Sequence, residues 1–298
     1  MFKYVLTAAV LKAFSLNDFT KWAYRKTGNV LGQRKRKKQN INEYVKRGNL
    51  LVSLCRQYGV LKKGCHLLEL GTGWIHWYGL FVRLHSDVFI DLFDVWDNRQ
   101  FDALKKAFHD LEQTWHDGLS VSPKAVERLS SVTHANSFDE IYKKFGINYR
   151  INENGALGAY PDSYFDCVFS FHVLEHVGRE VIENTIKHIY RTLKPGGYSI
   201  HQIGIDDHLS HYDKKESAKN YVRYSHRAWK RYFDNAVQYH NRLQVADFLN
   251  IFSINGFEGV ETNRDICSLG GLRVHPDWQN YSVEDLQTTT LTIVHKKT

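Results

Sequence analysis

The stretch Leu67-Leu68-Glu69-Leu70-Gly71-Thr72-Gly73-Trp74-Ile75-His76-Trp77-Tyr78-Gly79 decides the fold. An apolar run interrupted by one acid ends in two closely spaced glycines, and a helix-like segment follows. Strand, sharp turn and helix start in that order aim bare backbone and helix N-terminal amides at a ligand. Gly71 and Gly73 allow that ligand to come close. The G-x-G spacing lacks both the third glycine of G-x-G-x-x-G and the lysine of a phosphate-cradling G-x-x-x-x-G-K loop, which argues against a bound pyrophosphate.

On either side of this stretch the chain alternates two periods. CHLLEL (65–70), VFIDLFDV (88–95), FDCVFSF (165–171) and YSIHQIGI (198–205) read as strands, and FDALKKAFHDLEQTW, SFDEIYKKF and EVIENTIKHIYRTL as amphipathic helices. The order predicts an α/β fold with a doubly wound, mostly parallel sheet whose ligands sit at the strand C-terminal edge. GFEGVETN and TLTIVHKK predict a closing antiparallel hairpin. Residues 1–62 read as a helical, basic cap with a break around Gly28 to Asn40, and residues 63–298 as the main domain. Insertions at about 98–148 and 206–245 would act as lids over the ligand edge.

The composition is that of a globular protein: 298 residues, 43% hydrophobic and 24% charged. A net charge of +8 favours nucleic acid, phosphorylated metabolites or an anionic membrane as partners. Cys55, Cys65, Cys167 and Cys267 are scattered without a C-x-x-C pair, the usage of reduced thiols in a cytoplasmic protein. The segment MFKYVLTAAVLKAF is too short to span a bilayer and carries Lys12 in its midst. It should dock on the body or lie on a membrane, helped there by the basic run Arg34 to Lys38.

Further residues give the glycine turn a chemical context. Asp94 stands near the end of the second strand, where a carboxylate can accept bonds from two ribose hydroxyls, with Asp91 and Asp97 as rivals. Then come D-S-Y-F-D-C-V (Asp162 to Val168), H-V-L-E-H (His172 to His176) and R-T-L-K-P-G-G (Arg191 to Gly197). With E-L-G-T-G-W (Glu69 to Trp74), these motifs in this order resemble the class I S-adenosylmethionine-dependent methyltransferases of the methyltransferase-11 kind.

That resemblance implies a seven-stranded Rossmann-like sheet with its last strand antiparallel and S-adenosyl-L-methionine as cofactor. It implies cofactor contacts at Glu69, Gly71, Thr72, Gly73 and Asp94, with Asn154 or Glu153 near the adenine and His172 beside the sulfonium. H-x-x-E-H also spells an inverted zinc-protease motif, but there it lies within a helix, whereas here it follows a strand. Some methyltransferases hold a divalent metal with E-x-x-E-H at this point and a later histidine. The corresponding residues are Glu175 and His176, joined by His201, His208 or His211 with Asp206 and Asp207 alongside, and the first ligand of the pattern is changed to histidine.

Methyl transfer to a hydroxyl needs alignment and a base, for which His172, His201, His208 and His211 are candidates. The N-P-P-Y motif of base N-methylation is replaced by S-F-H-V. Tyr239-His240-Asn241-Arg242-Leu243 resembles a Y-x-N-R-L stretch of bacterial cell-surface polysaccharide and sugar methyltransferases. There Arg242 would suit a phosphate or carboxylate, and Trp229 could stack on a sugar. The expected activity is O-methylation of a small-molecule, sugar or glycan-like acceptor, phosphorylated or lipid-linked forms included. The alternatives are an RNA 2′-O-methyltransferase, for which no RNA-binding module is recognisable, and a non-catalytic binding protein that keeps the cofactor fold.

Overall fold

The computed structural model describes residues 1–36, 40–115 and 122–298, without the side chains of residues 34 and 35. Three helices open the chain: α1 (Phe2–Phe14), α2 (Asp18–Arg36) and α3 (Asn42–Gln57). Then follow β1 (His66–Leu70), α4 (Trp77–His85), β2 (Phe89–Asp94), α5 (Phe101–Thr114), α6 (Pro123–Thr133), α7 (Phe138–Phe145) and β3 (Ile147–Ile151). The second half comprises β4 (Phe165–Phe171), α8 (Ile182–Thr192), β5 (Leu193–Gly204), α9 (His226–Tyr232), α10 (Val245–Ile254), β6 (Phe257–Ile266), α11 (Val283–Gln287) and β7 (Thr288–Lys297).

The strands form one sheet in the order β3-β2-β1-β4-β5-β7-β6. Six are parallel and one is antiparallel, as expected for the closing strand. β1 pairs in parallel with β2 and with β4, so it is central, and Leu67, Leu68 and Leu70 are buried. That is why its sequence reads as an apolar run rather than an alternation. The chain reverses order at β1, the position where such sheets take ligands at the strand C-terminal ends.

Two readings of the N-terminal region change. α2 runs without interruption through Gly28 to Arg36, where the sequence reads as a break. Of the basic run, Lys37 and Lys38 lie outside the described residues, and Arg36 turns inward: its Nε donates to Gln100 at 2.7 Å, and its guanidinium lies 4.2 Å from the Trp74 ring centre.

The chain divides into two compact units that do not coincide with the 1–62 and 63–298 division. One comprises residues 29–170, 188–200 and 296–298. Here Trp77, at the start of α4, stacks on Phe81 and Phe108 and donates Nε1–H to the Tyr44 carbonyl of α3 at 2.9 Å. Trp77 and Tyr78 therefore join α4 to α3, as core.

The other unit comprises residues 1–28, 171–187 and 201–295. In it α1 docks through Tyr4, Ala8 and Leu11 on a cluster with Tyr221, Trp229, Phe233 and Trp278. The Tyr4 hydroxyl donates to Asp207 Oδ2 at 2.6 Å, and burial pushes the Asp207 carboxyl up to about 7. No helix among the described residues is long and apolar enough to cross a membrane.

Candidate active site

At the end of β1 the backbone turns through Gly71 (φ 66°) and Gly73 (φ 67°), both left-handed. The Gly71 amide donates to the Phe93 carbonyl of β2 at 2.8 Å, which pins the turn to the neighbouring strand. A side chain built on Gly73 would meet nothing within 4 Å, so the loop leaves open space there. Thr72 is buried, with its hydroxyl beside the Glu69 carboxyl. Open space beside left-handed glycine backbone fits a ligand that approaches the main chain closely, such as the methionine part of S-adenosylmethionine.

Glu69 points back rather than out. Its Oε2 accepts the Gly79 amide of α4 at 2.8 Å, and a Cβ on Gly79 would lie 2.6 Å from that oxygen and 2.6 Å from Leu92 Cδ2. Glu69 thus fixes where α4 begins, and Gly79 is the glycine that lets the helix come so near. Burial pushes the Glu69 carboxyl up to about 8. A raised acid contributes its full stability below its unfolded value near 4.5 and loses it as pH rises through about 8. Glu69→Gln should therefore flatten the fall in melting temperature between those values, measured by calorimetry across the range.

Among the three acids, position favours Asp94. Its Oδ2 accepts from Gly73 N at 2.8 Å and its Oδ1 from Val95 N at 2.7 Å, so it closes the glycine loop and keeps acceptor directions to spare. Asp91 lies mid-strand opposite Asn148, and Asp97 is occupied by Arg99 at 2.8 Å. The loop after β3 meets Asp94 through the Asn152 amide at 3.1 Å, and Glu153 and Asn154 beside it are exposed. A cavity of about 230 Å³ borders this loop, lined by Phe93, Arg150, Asn152 and Tyr160 among others.

The H-V-L-E-H residues follow β4 in a tight turn, Leu174–His176 forming a single 3-10 turn. His172 sits at φ 55° and donates its amide to the Gln202 carbonyl at 2.8 Å. Its Nδ1 lies 3.2 Å from Glu175 Oε1, while its Nε2 is buried without a partner. A carboxylate on one ring nitrogen, with the other left without a partner, is the arrangement of an oriented base. Gly204 makes the room: a Cβ there would lie 2.9 Å from both His172 Nδ1 and Glu175 Oε1.

Glu175 is 1% exposed, and its second oxygen, Oε2, has no partner. Burial alone would raise its pKa, but the His172 bond and the nearby His176 and His172 imidazoles outweigh that and hold it below the ordinary carboxylate value. His176 Nδ1 lies 2.7 Å from the Tyr239 carbonyl, which can only accept, so Nδ1 carries a hydrogen and Nε2 is the ring nitrogen left to a ligand. Burial pushes His208 down to about 4, which keeps it neutral. Donor atoms of Glu175, His176 and His208 lie within 4.8 Å of one another. The His208 imidazole, His176 Nε2 and an unsatisfied buried carboxylate oxygen are a donor set that fits a divalent cation.

His201 does not join this group. It is fully buried, its ring packs 5.6 Å from Phe252, and burial pushes it down to about 3, so it is a core histidine of β5. His211 is half exposed and pairs with Asp206, whose Oδ1 is 3.9 Å from His208 Nε2. Trp229 offers no sugar platform: it is 5% exposed, and Arg242 covers its face with the guanidinium 4.9 Å from the ring centre.

The Y-H-N-R-L run has a role that sequence reasoning missed. Tyr239 orients His176, His240 Nε2 contacts the Gly204 carbonyl at 3.1 Å, and Asn241 Nδ2 donates to Leu174 O at 2.7 Å and Val177 O at 3.0 Å. The Asn241 amide also donates to Glu175 O at 2.8 Å, so the run clamps the turn that carries Glu175 and His176. Asn241→Ala strands buried carbonyls and should cost about 2 kcal/mol in denaturant unfolding.

Comparison with known proteins agrees with this architecture. Residues 108–201 match the family model for a methyltransferase domain, about a third of the chain. A Galdieria sulphuraria protein described as a sarcosine dimethylglycine methyltransferase is similar in fold: TM-score 0.51, 14% identity, 89% of this chain and 90% of that one. Phosphoethanolamine N-methyltransferase 2 of Haemonchus contortus, solved with S-adenosyl-L-methionine, gives 0.50 at 16% identity, over 84% of this chain and 52% of its own. No curated protein is significantly similar in sequence. The methyltransferase-domain match lies within a sheet of this strand order, and together they support a class I S-adenosylmethionine-dependent methyltransferase.

Proposed function

We propose that the protein transfers a methyl group from S-adenosylmethionine to a hydroxyl of a small or glycan-like acceptor, with a divalent metal held by Glu175, His176 and His208. The observation that carries the oxygen acceptor is the convergence of Glu175, His176 and His208 donor atoms beside the partnerless Glu175 Oε2. An amine acceptor needs no such set, because it reacts through its own lone pair. When bound, the metal would lower the pKa of the acceptor hydroxyl.

The chain's own residues do the rest. Gly71, Thr72, Gly73 and Asp94 bind the cofactor through backbone and carboxylate contacts. Glu175 orients the His172 ring through Nδ1, and His172 Nε2 takes the hydroxyl proton as the oxygen attacks the methyl carbon and the sulfur leaves as the thioether. Tyr239 and Asn241 hold His176 and the turn in place, which limits the motion that misalignment would add.

The test is paired. Titration calorimetry should show S-adenosylmethionine binding by the purified protein and a separate event for Mn²⁺. Acceptor methylation, screened with sugar and phospho-sugar pools, should stop in chelator and return with Mn²⁺ or Mg²⁺. Turnover that is insensitive to chelator removes the metal, and a folded protein without cofactor affinity removes the enzyme.

A further inference from the structure

We propose that the outer face of α1, with the start of α2, seats the protein on an anionic membrane surface. α1 is apolar on two opposite sides, which is unusual for a surface helix. One side, Tyr4, Ala8 and Leu11, docks on the body. At 100° per residue the other side carries Phe2, Val5, Leu6 and Val10, and these remain exposed, Phe2 by 80% and Leu6 by 52%. The face continues into Phe19 and Trp22, a stacked pair with ring centres 6.0 Å apart, exposed by 73% and 54%.

Charge selects the occupant. Residues 1–28 hold five Lys or Arg and a single acid, Asp18, which pairs with Lys21. Lys12 turns inward to the carbonyls of Lys230 and Asp234, while Lys3, Arg25 and Lys26 are exposed around the apolar face. An apolar face with a basic rim and a Trp at its edge matches the interfacial zone of a bilayer containing acidic headgroups. A second copy of the chain related by a two-fold axis would bring the same basic rims together, an unfavourable pairing. The face docks flat, since no described helix can span.

The experiment is co-sedimentation with phosphatidylcholine vesicles with and without phosphatidylglycerol, using the whole protein and the variant Leu6→Ser/Val10→Ser/Trp22→Ser. Binding should require phosphatidylglycerol, weaken with salt, and fall by at least about tenfold in the variant. The substituted side chains are exposed, so melting temperature and S-adenosylmethionine affinity should not change, which separates this surface from the catalytic reading. Absence of binding to the acidic vesicles at low salt, or equal binding by the variant, overturns the proposal. So does a dimer in light scattering that the variant dissociates, because a second copy would then be the occupant.

Discussion

Glu175→Gln is expected to abolish measurable divalent-cation binding and to lower methyl transfer by at least about a hundredfold, with the protein still folded. The substitution keeps shape and leaves Oε1 to accept from His172 Nδ1, so the orientation of that ring survives. It replaces Oε2, the buried oxygen without a partner, by an amide that donates where a cation needs an acceptor. The folded protein stabilises the Glu175 charge, and the new amide nitrogen is a buried donor without an acceptor, so thermal stability of the metal-free protein should fall somewhat. Affinity for S-adenosylmethionine should be unchanged, because the residues proposed to hold it are Gly71, Thr72, Gly73 and Asp94 and not Glu175. Calorimetric titrations with Mn²⁺ and with the cofactor, beside an unfolding curve, read all three effects. Loss of activity with Mn²⁺ affinity intact would reduce Glu175 to the orientation of His172.

Much of the sheet is legible because central parallel strands are buried on both faces and read as apolar runs, as β1 and β4 do. β3 is harder: in Ile147–Ile151 only the first residue is buried, since the strand lies at the sheet edge, and its sequence INYRI carries no run to find. The glycine loop and Asp94 are legible because backbone reversal and a strand-end acid leave local signals. His201 was not separable from His208 in the sequence, although one packs on Phe252 and the other joins Glu175 and His176. Which face of a strand or turn a histidine occupies depends on a pleat that a single residue type does not reveal. The clamp by Tyr239 and Asn241 spans more than 60 residues and works partly through main-chain carbonyls, which have no residue signature. Gly204 did carry a signal, a glycine closing an apolar strand, which marks a close approach.

The glycine loop yields the sharpest contrast, between two glycines six residues apart. Gly73→Leu should leave the protein folded, at a cost of about 1 kcal/mol for a side chain on left-handed backbone, because the space beyond its Cα is open. The same side chain would fill the space proposed for the cofactor, so S-adenosylmethionine affinity should fall by about a hundredfold or more. Gly79→Ala should do the reverse in kind. Its methyl group would meet Glu69 Oε2 and Leu92 Cδ2, both at 2.6 Å, in a buried contact between α4 and the sheet. Overpacking of that sort costs about 1–3 kcal/mol, so the unfolding midpoint should drop well beyond that of Gly73→Leu. Cofactor affinity should then suffer only through displacement of the α4 start, and the Gly79→Ala loss should be smaller than the Gly73→Leu loss. Thermal unfolding and cofactor titration on the two variants give four numbers whose ranking must cross. Parallel losses in both variants would mean that Gly73 is structural and that the cofactor approaches the chain elsewhere.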